Sequence, residues 1–258
     1  MDSAVGVGNL LKLLEHYYEQ GFRGFLVSGG FNQEGYLPLS SEQLSALREF
    51  RRGREVFLSV HAGLMPREFL GKAMEVFDLV DFEVPPSDRY VREGRGLRRT
   101  RGDYLDLLSY VVEEYGEDRV APHVVIGSNL STAEEDLSTV EEVGRVTSRL
   151  VVLLVAMGSA LPEVGRVVAP FEVARRYFRE VALGCMRPRS LGAVFEELAL
   201  GGYVDRFVNP GRRLVELVPT ELYGSCCSLP EGALGAFRLE LGRGVDPKSS
   251  YLQLKLRW

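Results

Sequence analysis

The sequence predicts an α/β fold, a partial or incomplete TIM-type (β/α) barrel with a C-terminal β-rich extension, and three observations lead there. Short apolar runs that end in glycine, proline or histidine alternate with stretches of helical spacing along the 258 residues, which is the signature of parallel βαβ units. The connections are short, as a closed or nearly closed barrel requires. The predicted strands number about seven where a complete barrel has eight. The absent one falls at the start, where a helix stands with no strand before it.

The opening helix covers residues 9–20, with apolar side chains at Leu10, Leu11, Leu14, Tyr17 and Tyr18, and Gly21 ends it. Gly24 to Ser28 is the first strand, and the glycine turn Ser28-Gly29-Gly30 closes it. A helix capped by Ser40 or Ser41 runs to Arg52, Glu55 to His61 is the second strand, and Pro66 starts a helix to about Phe77. Leu79 to Val84 is the third strand, stopped by Pro85-Pro86. The segment Ser87 to Gly102 holds six arginines and three glycines. It reads as a long connection, either a solvated face or a cover that attracts carboxylate or phosphate groups. Asp103 is the expected cap of the next helix, which runs to Tyr115.

Val120 to Gly127 is the fourth strand, and Thr132 caps a helix with an acidic first turn that extends to about Thr147. Leu150 to Ala156 is the fifth strand. Pro162 and Pro170 punctuate the following connection, whose helix is Phe171 to Phe178. Val181 to Cys185, a helix from Ser190 to Leu200, and a seventh strand from Val204 to Val208 complete the series. After Gly211 the pattern turns to strand-like pieces, Leu214 to Val218, Ala236 to Leu241 and Tyr251 to Leu256. The domain reading is therefore a barrel over 1–211 and an extension over 212–258 packed on it, too short to supply a core of its own.

A formal net charge of −5 argues against a general nucleic-acid binder. The longest apolar run, Leu150 to Met157, is too short to span a bilayer, and the first residues lack the pattern of a signal peptide. Three cysteines, Cys185, Cys226 and Cys227, make no disulfide framework, so a cytoplasmic location is expected. An open edge beside the first strand is expected to favour self-association unless the opening helix or the extension covers it.

Ligands of βα barrels meet the C-terminal ends of the strands. That rule selects Ser28, Gly29, Gly30, His61, Glu83, His123, Gly127, Met157, Cys185, Arg187 and Asn209 as candidates for a small-molecule site. Each also has a structural reading: a tight strand exit for the glycines, core imidazoles for His61 and His123, a solvent-facing Glu83 and a small buried hydrophobe for Cys185. Cys226-Cys227 lacks a recognised metal-ligand spacing.

The runs Gly24-Phe25-Leu26-Val27-Ser28-Gly29-Gly30, Gly35-Tyr36-Leu37-Pro38-Leu39, Val60-His61-Ala62-Gly63-Leu64, Pro122-His123-Val124-Val125-Ile126-Gly127 and Leu183-Gly184-Cys185-Met186-Arg187-Pro188 resemble, in order, an archaeal, biotin-synthase-like branch of the radical S-adenosylmethionine superfamily. The resemblance implies a barrel whose first strand is followed by Cys-x3-Cys-x2-Cys, thiolates holding a 4Fe–4S cluster, and S-adenosylmethionine cleaved to a radical that abstracts hydrogen from substrate. It implies that the backbone of Ser28-Gly29-Gly30 accepts the methionine amino group. His61 and Glu83 would line the cavity, and Val125, Ile126 and Gly127 would pack on adenine. Cys185 and Arg187 would lie on the substrate side.

This chain departs from the pattern, because no cysteine precedes residue 185 and the cluster motif is absent. Three functions follow: a radical S-adenosylmethionine enzyme of unknown substrate whose cluster segment lies outside this sequence, a degenerate barrel that binds S-adenosylmethionine or another small ligand, or an unrelated barrel enzyme that uses His61, His123 and Glu83 as acid–base groups or metal ligands.

Overall fold

The first seven strands are β1 (Gly24–Val27), β2 (Phe57–His61), β3 (Leu79–Val84), β4 (Val120–Ile126), β5 (Leu150–Val155), β6 (Glu180–Leu183) and β7 (Arg206–Val208). They are parallel, stand side by side in chain order, and alternate with helices. This is the predicted class, a partial TIM-type (β/α) barrel. The computed structural model describes residues 6–158, 160–217, 220–239 and 253–256. It divides into two compact units, 1–81 and 82–258, with the division falling inside β3.

The first unit holds α1 (Val7–Glu19), α2 (Ser41–Arg51) and α3 (Arg67–Met74) with β1, β2 and the start of β3. Ser40 caps α2 in a capping box, its hydroxyl accepting from Gln43 N while the Gln43 side chain accepts from Ser40 N. Phe50 of α2 is buried and meets Tyr18 and Phe25 edge-on at centroid distances of 6.0 and 5.6 Å. The register pairs Val27 with Val60 and His61 with Asp81. Strand β1 ends the sheet order, and its Leu26 is 43% exposed.

In the second unit, β4 and β5 are buried along their whole length, as strands covered on both faces must be. The helices are α4 (Arg101–Tyr115), α5 (Ala133–Val146), α6 (Val164–Tyr177) and α7 (Gly192–Leu200). Thr100, not Asp103, caps α4; Asp103 is the third helical residue, and its carboxylate reaches back to Thr100 N at 2.7 Å. Between β3 and α4 the arginine-rich connection contains a π-helical turn, Tyr90–Gly94. Helix α6 contains Pro170, a residue that in the sequence marks a break, and begins seven residues before the expected Phe171.

The segment after Gly211 departs most from expectation. Leu214 lies in a helix, α8 (Arg212–Leu217), not a strand, and Val218 lies outside the described residues. Strand β8 (Thr220–Tyr223) and helix α9 (Glu231–Leu234) carry no clear periodicity because each is only four residues long. Ala236 falls in a 3-10 turn before β9 (Arg238–Leu239), and residues 240 and 241 lie outside the described set. Strand β10 (Gln253–Leu256) inserts antiparallel between β7 and β8, so these short strands extend the parallel sheet. Tyr251 is not among the described residues. No described helix is long and apolar enough to cross a membrane.

Candidate functional site

At the ends of β1 and β2, the first unit brings three of its polar side chains together. Ser28 follows β1 directly and its Oγ lies 3.2 Å from Nδ1 of His61, the last residue of β2. His61 stands in register with Asp81 on β3, and the ligand atoms of these two side chains lie within 4.8 Å of each other. Exposure falls along this line: Ser28 is exposed, His61 is half-buried and Asp81 is only 1% exposed. A carboxylate this deep, next to an imidazole, is a donor set that can take a metal ion.

The loops around this group are fixed by their own backbone. Asn32 Oδ1 accepts from Glu34 N and Tyr36 N at 3.0 and 3.1 Å, folding the connection after β1 into an Asx turn. That turn is strapped to the end of β2 by Leu37 N to Ala62 O at 3.1 Å and Leu64 N to Gly35 O at 2.9 Å. Gly63 makes the strap possible: its φ is +63°, and a Cβ there would lie 2.4 Å from Gly35 O. In the predicted turn itself neither Gly29 nor Gly30 adopts a left-handed φ, and a Cβ at Gly30 would meet nothing within 4 Å. Open space, not backbone conformation, distinguishes Gly30.

In the second unit, His123 is buried on β4 with Nδ1 2.9 Å from the Ala121 carbonyl oxygen. The carbonyl can only accept, so the proton sits on Nδ1 and Nε2 is the basic nitrogen. This is the tautomer of a histidine ligand oriented by a backbone carbonyl. Val125 and Ile126 are wholly buried. Gly127 has a φ of +72°, donates its N–H to Asp136 Oδ2 at 2.8 Å, and would place a Cβ 3.0 Å from Pro162. These contacts give Gly127 a structural reason of its own.

Glu83 does not simply face solvent. Its carboxylate pairs with Arg95, whose guanidinium also lies 5.7 Å from the centre of the Tyr90 ring. Burial opposes the charge on Arg95, but Glu83 and Tyr90 more than offset it and hold its pKa above the usual value. Burial pushes the neighbouring Tyr104 hydroxyl up to about 12, with Arg95 opposing and Glu83 adding to the rise. The arginine-rich connection is thus tethered: Arg101 donates to Thr139 Oγ1 at 2.7 Å and Glu142 at 2.8 Å, while Arg89 and Arg92 form exposed local pairs with Glu93 and Asp88.

Arg187 closes the ends of β6 and β7, donating to the carbonyls of Gly184, Val208 and Asn209. Its guanidinium stacks 4.9 Å from the Phe207 ring centre. Asn209 holds a left-handed φ of +47°. Cys185 is exposed; burial of its sulfur and the nearby Cys226 thiol push its pKa up. Met157, after β5, is 64% exposed.

Sequence reasoning selected Glu83 and passed over Asp81, two residues earlier on the same face of β3. The signal was present: Asp81 is a charged residue in the middle of the run Leu79-Val80-Asp81-Phe82, where a structural role needs a specific counter-charge.

No protein-family model and no curated protein matches this chain. Among solved structures, it is similar to the phospho-2-dehydro-3-deoxyheptonate aldolase (DAHP synthase) of Thermotoga maritima, at 14% identity over 78% of this chain and with a TM-score of 0.39. The match spans 55% of that aldolase chain. It is also similar to a psychrophilic family 10 endo-β-1,4-xylanase, at 11% identity over 76% of this chain and 78% of the other, with a TM-score of 0.42.

Proposed function

We propose that this chain is a barrel protein that binds a divalent transition metal and uses it to activate water toward a small-molecule substrate. The observation that carries this reading is the pair His61 and Asp81, an imidazole and a deeply buried carboxylate in register on neighbouring strands with ligand atoms within 4.8 Å. Mixed nitrogen and oxygen ligands of this kind suit zinc, cobalt, manganese or ferrous iron. Ser28 supports the same reading, because its hydroxyl at His61 Nδ1 orients the ring and leaves Nε2 for a metal. A bound divalent ion supplies a water whose pKa is lowered toward neutrality. The protein's own part is to hold His61 by the Ser28 hydrogen bond and to supply the negative charge of Asp81.

The finer kinship with radical S-adenosylmethionine enzymes rests on the five sequence runs alone. The thiols this chain offers follow β6 (Cys185) and β8 (Cys226, Cys227) and lack the Cys-x3-Cys-x2-Cys spacing. These residues do not fit a 4Fe–4S cluster.

The test is metal content. The chelator-stripped chain is dialysed against zinc or cobalt and analysed by inductively coupled plasma mass spectrometry. About one equivalent per chain is expected, lost in His61→Ala and Asp81→Asn. Retention in both variants, or no metal in the parent chain, removes the reading. A parallel His123→Ala variant decides whether that imidazole, the second one named from the sequence, is a ligand.

A further inference from the structure

The bend that follows β6, Cys185-Met186-Arg187, carries a cation and backbone donors that the proposed function does not use. A guanidinium has five N–H groups, and Arg187 gives three of them to the carbonyls of Gly184, Val208 and Asn209. Among the described residues, its Nε–H and the second Nη1–H find no acceptor, and no carboxylate pairs with it. Arg51, Arg101, Arg166 and Arg175 are part-buried as Arg187 is, and each of them faces a carboxylate. Burial lowers the Arg187 pKa, and the thiols of Cys185 and Cys227 are the groups that oppose the shift.

The backbone of the bend leaves its donors open. Met186 O accepts from Val155 N at 2.9 Å, which pins the bend to the end of β5. The N–H groups of Cys185, Met186 and Arg187 donate to no carbonyl of the described residues. Those of Cys185 and Met186 turn instead toward the Cys185 sulfur, which the charge of Arg187 also reaches. The donors therefore converge on one place, and Cys185 is exposed, so that place opens outward. Burial of the sulfur, then Cys226, raises the Cys185 pKa against these N–H groups and Arg187. The thiol stays protonated at neutral pH and does not neutralise the guanidinium.

We propose that Cys185, Met186 and Arg187 bind the oxyanion head of a small ligand, a carboxylate or a phosphate, beside the Cys185 thiol. Successive backbone N–H groups in a bend form an anion-binding concavity, and a guanidinium edge adds charge-assisted donors to it. The bend lies at the C-terminal ends of the parallel strands, where barrel ligands meet the protein. The rest of the ligand extends past the exposed Cys185.

The thiol itself reports on the site. The full chain is alkylated at mildly alkaline pH and constant ionic strength with iodoacetate, whose carboxylate the site should hold, or with neutral iodoacetamide. In both reactions the Cys185 sulfur displaces iodide and its proton passes to the buffer; peptide mass mapping reads the label. The iodoacetate-to-iodoacetamide rate ratio at Cys185 is expected to exceed that of free 2-mercaptoethanol by about tenfold, the worth of one charge-assisted contact. Arg187→Met is expected to abolish the excess. Because Arg187 also clips β6 to β7, the deciding readout uses the parent chain alone: inorganic phosphate or acetate, replacing chloride, is expected to slow the iodoacetate reaction at Cys185. Slowing by either salt supports the proposal and identifies the head group. A ratio equal to that of 2-mercaptoethanol, or labelling that neither salt slows, overturns it. No metal enters these measurements, so their outcome is independent of the metal reading.

Discussion

Among the described residues two carboxylates lie deepest, Asp136 at 0% exposure and Asp81 at 1%, and they are treated differently by their surroundings. Asp136, in the first turn of α5, accepts from Gly127 N at 2.8 Å, Ser131 Oγ at 2.7 Å and Arg166 Nε at 2.9 Å. Arg166 also donates to the carbonyls of Ser128 and Ser131, so one carboxylate and one guanidinium fasten the loop after β4 to α6. Burial pushes the Asp136 pKa up and the three donors oppose it. Asp81 stands instead beside an imidazole, whose charge depends on pH and whose nitrogen can coordinate a metal. Fixed donors make a carboxylate a structural weld, whereas an exchangeable neighbour leaves it able to do chemistry.

The largest effect that tests this contrast is Asp136→Ala. It strands Arg166, 22% exposed at its side chain, among carbonyls and frees the Gly127 N–H. A loss of about 3–5 kcal/mol is expected, read as a fall in Tm of about 10 °C or more in a thermal melt. Next comes metal linkage: zinc or cobalt at 100 times its dissociation constant should add about 2.7 kcal/mol to the parent chain and nothing to Asp81→Asn. Without metal, Asp81→Asn is expected to lie within about 1 kcal/mol of the parent, since the amide removes a buried charge. A collapse of that variant like that of Asp136→Ala would erase the distinction.

A smaller effect appears at alkaline pH. The folded chain holds the Tyr104 proton up to about pH 12, whereas an unfolded chain releases it near 10. Stability from this group is therefore full below pH 10 and falls as pH rises toward 12. Tyr104→Phe should flatten that part of the pH–stability curve relative to the parent chain. Smallest is Glu68→Gln, which breaks an exposed pair with Lys72 at 3.1 Å and should shift stability by less than about 0.5 kcal/mol.

The βα succession was legible because each strand is an apolar run with a breaker after it, and the caps at Ser40 and Thr132 carry their chemistry in the sequence. Where elements are short or breakers are tolerated, legibility ended. Leu214, Val215 and Leu217 fit a strand or a helical turn equally well, and α8 is only six residues long. Pro170 looked like a stop, yet it is buried inside α6, where tertiary packing overrides the local penalty. The candidate site was half legible. His61 and Ser28 follow from the strand-end rule, but their proximity depends on register, and register also decides that Asp81 adjoins His61. The anchoring of Glu83 by Arg95 was hidden for the same reason, since it is a contact across twelve residues of irregular chain.

The central claim, that the end of β2 is a metal site, is tested most directly by cobalt substitution. Cobalt added to the chelator-stripped chain should produce the intense visible bands of a low-symmetry, four- or five-coordinate ion with nitrogen and oxygen ligands, saturating at one equivalent and absent from Asp81→Asn. A spectrum that stays that of hydrated cobalt throughout the titration would contradict the account.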